Sequence, residues 1–305
     1  MTDGASAAAS RYGARAAVVV VSHDTRAEAL ACLATLDAAG ADEVVLVDAG
    51  SRDGTAEAVG GAFPEVVILR LANVGFGRAA NAGVAATRAP AVVVANADTR
   101  FAPGSVAALA DALAADPGLA AAGPRVVYPD GRHQASARRL PSLGTAVGHG
   151  LFGLWLPENP WTRRYRLADL DPDRSHEVDW LSGCAVALRR EAFDAVGGFD
   201  PGYFMYVEDV DLAWRLRQAG WRIATAPAAV VVHRVGASAD ARRAVMVRAH
   251  ARSLARFADR AYLSGPRAWL RPLVRVGLAA WVATTLAWDR LVRTRSAGGR
   301  SSTGE

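Results

Sequence analysis

Four short runs of unbroken apolar character dominate the first hundred residues: 16–21 (AAVVVV), 43–48 (EVVLVD), 66–71 (VVILRL) and 91–95 (AVVVA). A strand with one wet face alternates apolar and polar residues. Runs that do not alternate are buried on both faces, which is the condition of strands in a parallel sheet covered by helices. The intervals fit that reading. Leu30, Leu33 and Leu36 give 26–39 a helical period, Ser51-Arg52-Asp53-Gly54-Thr55 is a turn that opens a helix, and 76–88 is helical. The first half is therefore a doubly wound α/β unit, with its ligand expected at the carboxyl ends of the strands. After residue 100 the pattern changes: a helix at 104–115, Gly/Pro/Arg-rich connections over 123–175, strands at 178–188 and 228–233, a helix near 209–219, and a helical stretch at 240–260.

Charge separates the two ends of the chain. Residues 242–295 hold twelve Arg and two Asp, so the net charge of +5 belongs to this end, and the body before it is acidic. A basic end on an acidic body points to an anionic surface. No nucleic-acid recognition motif accompanies the basic stretch, which disfavours nucleic acid as a partner. Two cysteines, Cys32 and Cys184, exclude a disulfide-rich scaffold and a zinc site built on cysteine. Residues 1–16 are rich in Ala, Ser and Gly, and the apolar run after them is too short for a signal peptide. Nor does any apolar run reach the ~18–20 residues that span a bilayer; Val276–Trp288, bounded by Arg275 and Asp289, comes nearest. The expectation is a protein on the cytoplasmic face of a membrane, peripheral, with a flexible N-terminus (1–15), a main domain (16–240), a basic amphipathic helical segment (241–295) and a disordered tail (296–305).

Five polar constellations sit where an α/β fold places its ligands. Asp48, in Val-Asp-Ala-Gly-Ser-Arg-Asp-Gly-Thr (47–55), ends a strand; it accepts hydrogen bonds from a base or ribose, or is only a turn former. Asn73-Val-Gly-Phe-Gly-Arg-Ala-Ala-Asn81 is glycine-rich but lacks the dinucleotide spacing, so Gly75 and Gly77 are read as a tight loop under a nucleotide. Asn81 bonds buried backbone or the ligand. Asn96-Ala97-Asp98 follows the fourth strand, and a carboxylate there either holds a divalent metal on a diphosphate or caps the strand. Glu208-Asp209-Val210-Asp211 packs three carboxylates into four residues behind the apolar run Tyr203–Val207. Mutual repulsion raises at least one pKa, which suits a general base; a solvated helix start is the alternative. His233 closes the strand 228–232 as a second metal ligand or a structural residue.

The order of these elements resembles the inverting family 2 glycosyltransferases, over about residues 16–240. The runs Asp179-Trp-Leu-Ser-Gly-Cys-Ala-Val-Ala-Leu-Arg-Arg-Glu-Ala-Phe193 and Val196-Gly-Gly-Phe-Asp-Pro-Gly-Tyr-Phe-Met-Tyr-Val-Glu-Asp-Val-Asp-Leu212 are similar to their rhamnosyltransferase-like branch. Gly123-Pro-Arg125, Ser136-Ala-Arg-Arg-Leu-Pro-Ser142 and Asn159-Pro-Trp-Thr162 narrow the match to enzymes with a lipid-linked acceptor. Two departures stand out: Ala49 where the family often has Asn or Asp, and Ala97 where it usually has Pro. Neither removes a carboxylate.

The resemblance implies a GT-A fold, a Rossmann-like nucleotide-diphospho-sugar transferase, followed by a helical, basic, membrane-associating segment. It implies transfer of L-rhamnose from dTDP-β-L-rhamnose to a polyprenyl-diphospho-N-acetylglucosamine during cell-wall synthesis, with Mg²⁺ or Mn²⁺ as cofactor. Asp209 becomes the catalytic base. Asp48, Ser51, Asn73, Gly75 and Asp98 become the donor site, and Asp98 and His233 the metal ligands. Trp180, Gly183, Cys184, Glu208, Arg138 and Arg139 become the acceptor site. Arg138 and Arg139 suit the acceptor diphosphate by bidentate pairing, and are equally explained as solvated loop charges. Glu208 and Asp211 also suit positioning of the loop or capping of the helix.

Arg248, Arg252, Arg256 and Arg260 recur every four residues and form one stripe on a helix. Trp269, Leu270, Leu273, Val274, Leu278, Trp281, Leu286 and Trp288 follow among further Arg residues, as in interfacial helices on anionic lipid. The alternatives are packing on the main domain or on a partner copy in a homodimer. Three rival functions stay open: another family 2 transferase with a different sugar or acceptor, a nucleotide-sugar-binding protein without turnover, and a membrane scaffold whose tail is the working part.

Overall fold

The computed structural model describes residues 14–140, 142, 145, 156, 159–234 and 243–298, with side chains of the last stretch described over 244–289. The expected flexible N-terminus and disordered tail lie almost wholly outside the described residues. The chain separates into two compact units: one runs to Ser238 except for Met205–Val207, and the other comprises that tripeptide and the chain from Ala239.

The first unit begins β1 (Ala16–Ser22), α1 (Arg26–Leu33), α2 (Leu36–Ala39), β2 (Glu43–Ala49), α3 (Thr55–Ala62), β3 (Val67–Leu71), α4 (Phe76–Ala85), β4 (Ala91–Asn96). The helix expected over 26–39 is two helices. The Thr35 hydroxyl donates to the Cys32 carbonyl at 2.7 Å and accepts the Phe101 amide, which diverts the backbone between them. The chain continues with β5 (Thr99–Phe101), α5 (Ser105–Ala115), β6 (Leu119–Val127), β7 (Ala137–Arg138), α6 (Pro160–Arg166), β8 (Trp180–Leu181), β9 (Ala185–Arg189), α7 (Arg190–Ala195), α8 (Glu208–Gln218) and β10 (Arg222–His233).

Eight strands form one sheet in the order β3-β2-β1-β4-β9-β6-β10-β5, and β7 and β8 make a separate two-stranded ribbon. The four apolar runs pair in parallel, as their lack of alternation requires. Beyond β4 the sheet is mixed, because β9 runs antiparallel to both β4 and β6. Successive residues of β1 face opposite sides of the sheet. Val18 and Val20 join Leu46, Val93 and the apolar faces of α1, α2 and α5 in one core layer. On the other side α4 lies so close that a Cβ on Gly83 would sit 2.2 Å from Val19 Cγ1, so only glycine fits there.

Two irregularities shape the carboxyl edge. β10 bulges between Ala226 and Val230, at Pro227, which has no amide to give the ladder. The bend carries its end onto β5 and sets His233 opposite Thr99. The strand expected over 178–188 breaks into β8 and β9, because residues 182–184 bond elsewhere: the Ser182 amide goes to the Ser136 carbonyl, and the Gly183 amide to Asp209.

The second unit is an antiparallel helix pair, α9 (Arg243–Ala261) and α10 (Arg271–Gly298), joined through a 3₁₀ turn at Gly265–Leu270. Asp259 pairs with Arg275 at 2.8 Å, and Phe257 and Leu263 are buried. Arg248, Arg252, Arg256 and Arg260 are all exposed on α9, and Trp269, Leu273, Val276 and Trp288 are exposed along the second arm. Residues 265–289 form a continuous stretch long and apolar enough to cross a membrane by length and composition. This corrects the expectation that no such stretch exists: the helical stretch continues through Arg267, Arg271 and Arg275, which interrupt the apolar run in sequence.

Candidate active site

Asp48 is buried at the end of β2, where its Oδ1 accepts the Ser51 amide at 2.9 Å. The Ser51 hydroxyl accepts the Asp24 amide at 2.9 Å, and Asp24 Oδ1 in turn accepts the Arg52 amide at 2.7 Å. His23 donates from Nδ1 to the Ala49 carbonyl at 2.9 Å, which leaves Nε2 to accept from Asn73 Nδ2 at 3.3 Å. Asp48, Ser51 and Asn73 are thus brought to one place, linked through His23 and Asp24 at the end of β1. Sequence reading passed over those two because Ser-His-Asp there carried only the meaning of a strand end.

Gly75 differs from its expected role. At φ +91° its bare Cα faces the Phe204 carbonyl so closely that a Cβ would lie 2.2 Å from that oxygen, and the next amide, Phe76, donates to it at 3.0 Å. The glycine-rich loop therefore binds the 200s segment on this side. Asn81, left open between backbone and ligand, goes to backbone: Nδ2 donates to the Phe199 carbonyl at 2.8 Å and Oδ1 accepts the Phe199 amide at 2.9 Å.

Asp98 lies in the turn between β4 and β5, and β10 delivers His233 beside it, with Nε2 3.3 Å from Oδ1. That Oδ1 is buried and accepts no hydrogen bond. His233 Nδ1 meets Gln134 Oε1 at 3.1 Å. If Gln134 accepts the Nδ1 proton, the Nε2 lone pair and the Asp98 carboxylate oxygen face one another, an arrangement that a shared cation would satisfy. One imidazole and one carboxylate suit Mn²⁺ or Mg²⁺ when phosphate oxygens complete the shell. No group of three metal-binding side chains occurs among the described residues. Gln134, a polar loop residue without periodicity, left no signal in the sequence.

The acidic cluster resolves into three different carboxylates. Asp211 is fully buried, paired with Arg215 at 2.7 Å and accepting the Tyr203 hydroxyl at 3.3 Å. It anchors the helix, and Arg215 carries the tie on to the Val196 carbonyl. Asp209 accepts the Gly183 amide on Oδ2 at 2.9 Å and the Val210 amide on Oδ1 at 2.8 Å. Burial raises its pKa, while both amides and the Arg138 charge pull it back. Glu208 is buried with Oε2 unpartnered, and burial, together with the Asp209 charge, pushes it up to about 8. At neutral pH Glu208 is therefore an uncharged acid.

Residues 183 and 184 join the two halves. The Gly183 amide reaches Asp209 while the next carbonyl, of Cys184, accepts the Asn96 amide at 2.9 Å. Asp98 and Asp209 both act on the Cys184 thiol, which burial pushes up to about 12. Cys184 is enclosed and inert, so it offers an acceptor no side-chain surface.

Across the ribbon, Arg138 pairs in register with Trp180. Its guanidinium lies 5.6 Å from the Trp180 ring and 5.4 Å from that of Tyr165. Arg139 contributes backbone instead: its carbonyl accepts Trp180 Nε1 at 3.1 Å, its amide donates to Tyr165, and its side chain is exposed. The structure thus sets Arg138, Trp180, Gly183 and Asp209 together and leaves the Arg139 side chain outside.

A mixed sheet with a nucleotide-type first half, a carboxylate–histidine pair at the strand ends and a buried acid pair beyond it defines a GT-A glycosyltransferase. A family model described as glycosyl transferase family 2 matches residues 17–197. The chain belongs to that family. A second model, described as the N-terminal domain of galactosyltransferase, matches residues 167–239. The chain is 41% identical over 248 residues, 77% of its length and 80% of the relative's, to the N-acetylglucosaminyl-diphospho-decaprenol L-rhamnosyltransferase of Mycobacterium tuberculosis. It is 35% identical over 101 residues, a third of the chain, to the rhamnosyltransferase WbbL of Escherichia coli. In fold it is similar to a mannosyltransferase of Pyrobaculum calidifontis solved with GDP-Man and Mn²⁺ (TM-score 0.56, 20% identity, 94% of this chain and 81% of that one).

Proposed function

We propose that the chain is a metal-dependent inverting rhamnosyltransferase that moves L-rhamnose from dTDP-β-L-rhamnose to polyprenyl-diphospho-N-acetylglucosamine. The donor and acceptor rest on the mycobacterial relative, which is similar over 80% of its own length. The chemistry rests on one observation: the Gly183–Cys184 backbone ties the Asp209 carboxylate to the strand end that carries Asp98.

Asp48 and Ser51 hold the nucleoside, and Asn73, set by His23, completes that edge. Asp98 and His233 would hold Mg²⁺ or Mn²⁺, with Gln134 fixing the imidazole, and the metal would supply positive charge to a departing diphosphate. Asp209 takes the proton from the acceptor hydroxyl as that oxygen bonds to the anomeric carbon and the carbon–oxygen bond to dTDP breaks. One displacement inverts the centre, giving an α-L-rhamnoside, dTDP and a protonated Asp209. Glu208, neutral beside it, offers a hydrogen bond to the acceptor. Arg138, flanked by the Tyr165 and Trp180 rings, faces the acceptor diphosphate.

The helix pair is the docking element for a lipid-linked acceptor. Exposed Arg residues at four-residue spacing meet anionic headgroups, and Trp269, Leu273, Val276 and Trp288 enter the interface. Residues 265–289 are long enough to cross a membrane, but their charge-free part, 276–288, is only about 20 Å of helix at ~1.5 Å per residue against a ~30 Å hydrocarbon core, which favours a helix lying in the interface.

The test is a panel of nucleotide sugars offered with polyprenyl-diphospho-N-acetylglucosamine and Mg²⁺ or Mn²⁺, the product's anomeric configuration being read by NMR. An α-L-rhamnosyl product from dTDP-β-L-rhamnose is expected. Turnover with another sugar would keep the mechanism and overturn the substrate; binding without turnover would overturn the enzyme reading.

A further inference from the structure

The tripeptide Met205–Val207 immediately precedes Glu208 in the chain, yet it packs as part of the C-terminal helical unit. Its backbone is the least relaxed described. Tyr206 and Val207 stand consecutively in the left-handed region, at φ +66° and +69°. A β-branched residue there is an outlier, and two such residues in a row persist only where surrounding contacts hold them. α9 supplies such contacts, and α10 backs them. Ser253 Oγ donates to the Met205 carbonyl at 2.9 Å. The Tyr206 ring lies 5.1 Å from that of His250, which meets the Trp281 ring edge-on at 5.9 Å. Ser253 and Val207 are themselves buried.

We infer that the C-terminal helices set the position of the catalytic acid pair through this strap, with Tyr206, His250 and Ser253 as positioning residues. The inference rests on the reading of Asp209 as the base. α8 begins at Glu208, directly after the strap, so the φ angles at 206 and 207 set the direction in which its first turn leaves. Asp209 meets the Gly183 amide from that first turn. A release of the ring stack lets residues 206–207 relax to negative φ, swings the first turn, and misplaces the carboxylate from the attacking hydroxyl. Displacements of about 1 Å cost a reaction up to ~100-fold while leaving remote binding intact. Since the same helices carry the exposed Arg stripe and tryptophans, the element that would meet the lipid also sets the base.

The experiment uses the full chain and measures kcat and nucleotide Kd for Tyr206→Ala, Tyr206→Phe, His250→Ala and Asp209→Asn. Expected is a 10- to 100-fold fall in kcat for Tyr206→Ala and His250→Ala, dTDP affinity within twofold of the parent, and recovery in Tyr206→Phe, which keeps the ring. Full kcat in both alanine variants, with Asp209→Asn inactive, overturns the strap and leaves the base standing. Retained turnover in Asp209→Asn overturns the base instead. Should Tyr206→Ala lose dTDP binding through unfolding, the split between kcat and Kd in His250→Ala decides, and parallel loss of both there overturns the inference.

Discussion

Replacement of Glu208 by Gln gives a stability change whose sign depends on pH. In the folded chain Glu208 is buried without a partner on Oε2, and its pKa stands at about 8 instead of the ordinary 4.5. The unfolded chain releases the proton at the ordinary value. Between the two, folding must take up a proton, so stability is full below pH 4.5 and falls as pH rises through 8. At ~1.4 kcal/mol per pH unit this one group costs about 3 kcal/mol at pH 7 and about 4–5 kcal/mol above pH 8. Gln has the same shape and no charge to bury. Its amide pays a fixed desolvation cost of ~1–3 kcal/mol that does not vary with pH. Urea unfolding of both proteins at pH 5, 7 and 9, without metal or nucleotide, should therefore show the stability difference moving toward Glu208→Gln by about 2–3 kcal/mol from pH 5 to 7, and further by pH 9. Parallel pH profiles would refute the neutral-acid assignment, as would a parent that gains on the variant with rising pH.

Three other substitutions separate the parts of the site. Asp211→Ala leaves Arg215 charged and largely buried, and should cost about 3–5 kcal/mol in chemical unfolding; a loss under 1 kcal/mol would contradict the anchoring role. Gly75→Ala puts a methyl 2.2 Å from the Phe204 carbonyl at a left-handed φ, so the melting temperature should drop and nucleotide binding weaken. Unchanged stability would show that the loop does not hold the 200s segment. Gln134→Ala frees the His233 ring, and Mn²⁺ affinity measured by electron paramagnetic resonance in the presence of dTDP should fall ~10- to 100-fold, with dTDP binding without metal unchanged.

Much of the scaffold was readable because its strands are unbroken apolar runs, and those four pair in parallel along one side of the sheet, with β3 at its edge and only partly buried. β6 escaped notice: Leu-Ala-Ala-Ala-Gly-Pro-Arg-Val-Val carries weak strand formers, and burial between β9 and β10 makes it a strand. The reversal of β9 was equally hidden, since a run buried on both faces reads the same in either direction. Within the site, Asp98 and His233 lie 135 positions apart, and the β10 bulge at Pro227 is what brings them together. Loop residues such as His23 and Gln134 act through one or two isolated hydrogen bonds, which leave no period to read. Arg138 and Arg139 were indistinguishable as a pair, and the ribbon register separates them, one toward the rings and one toward solvent.

The most direct measurement is the turnover of Asp209→Asn beside the parent, with dTDP-β-L-rhamnose and polyprenyl-diphospho-N-acetylglucosamine at saturation. Asn keeps the Gly183 contact in shape and cannot take a proton. Loss of general-base catalysis is worth ~10²–10⁴-fold, so kcat should fall by that order with dTDP affinity unchanged. A variant that turns over within tenfold of the parent would contradict the assignment of Asp209 as the base.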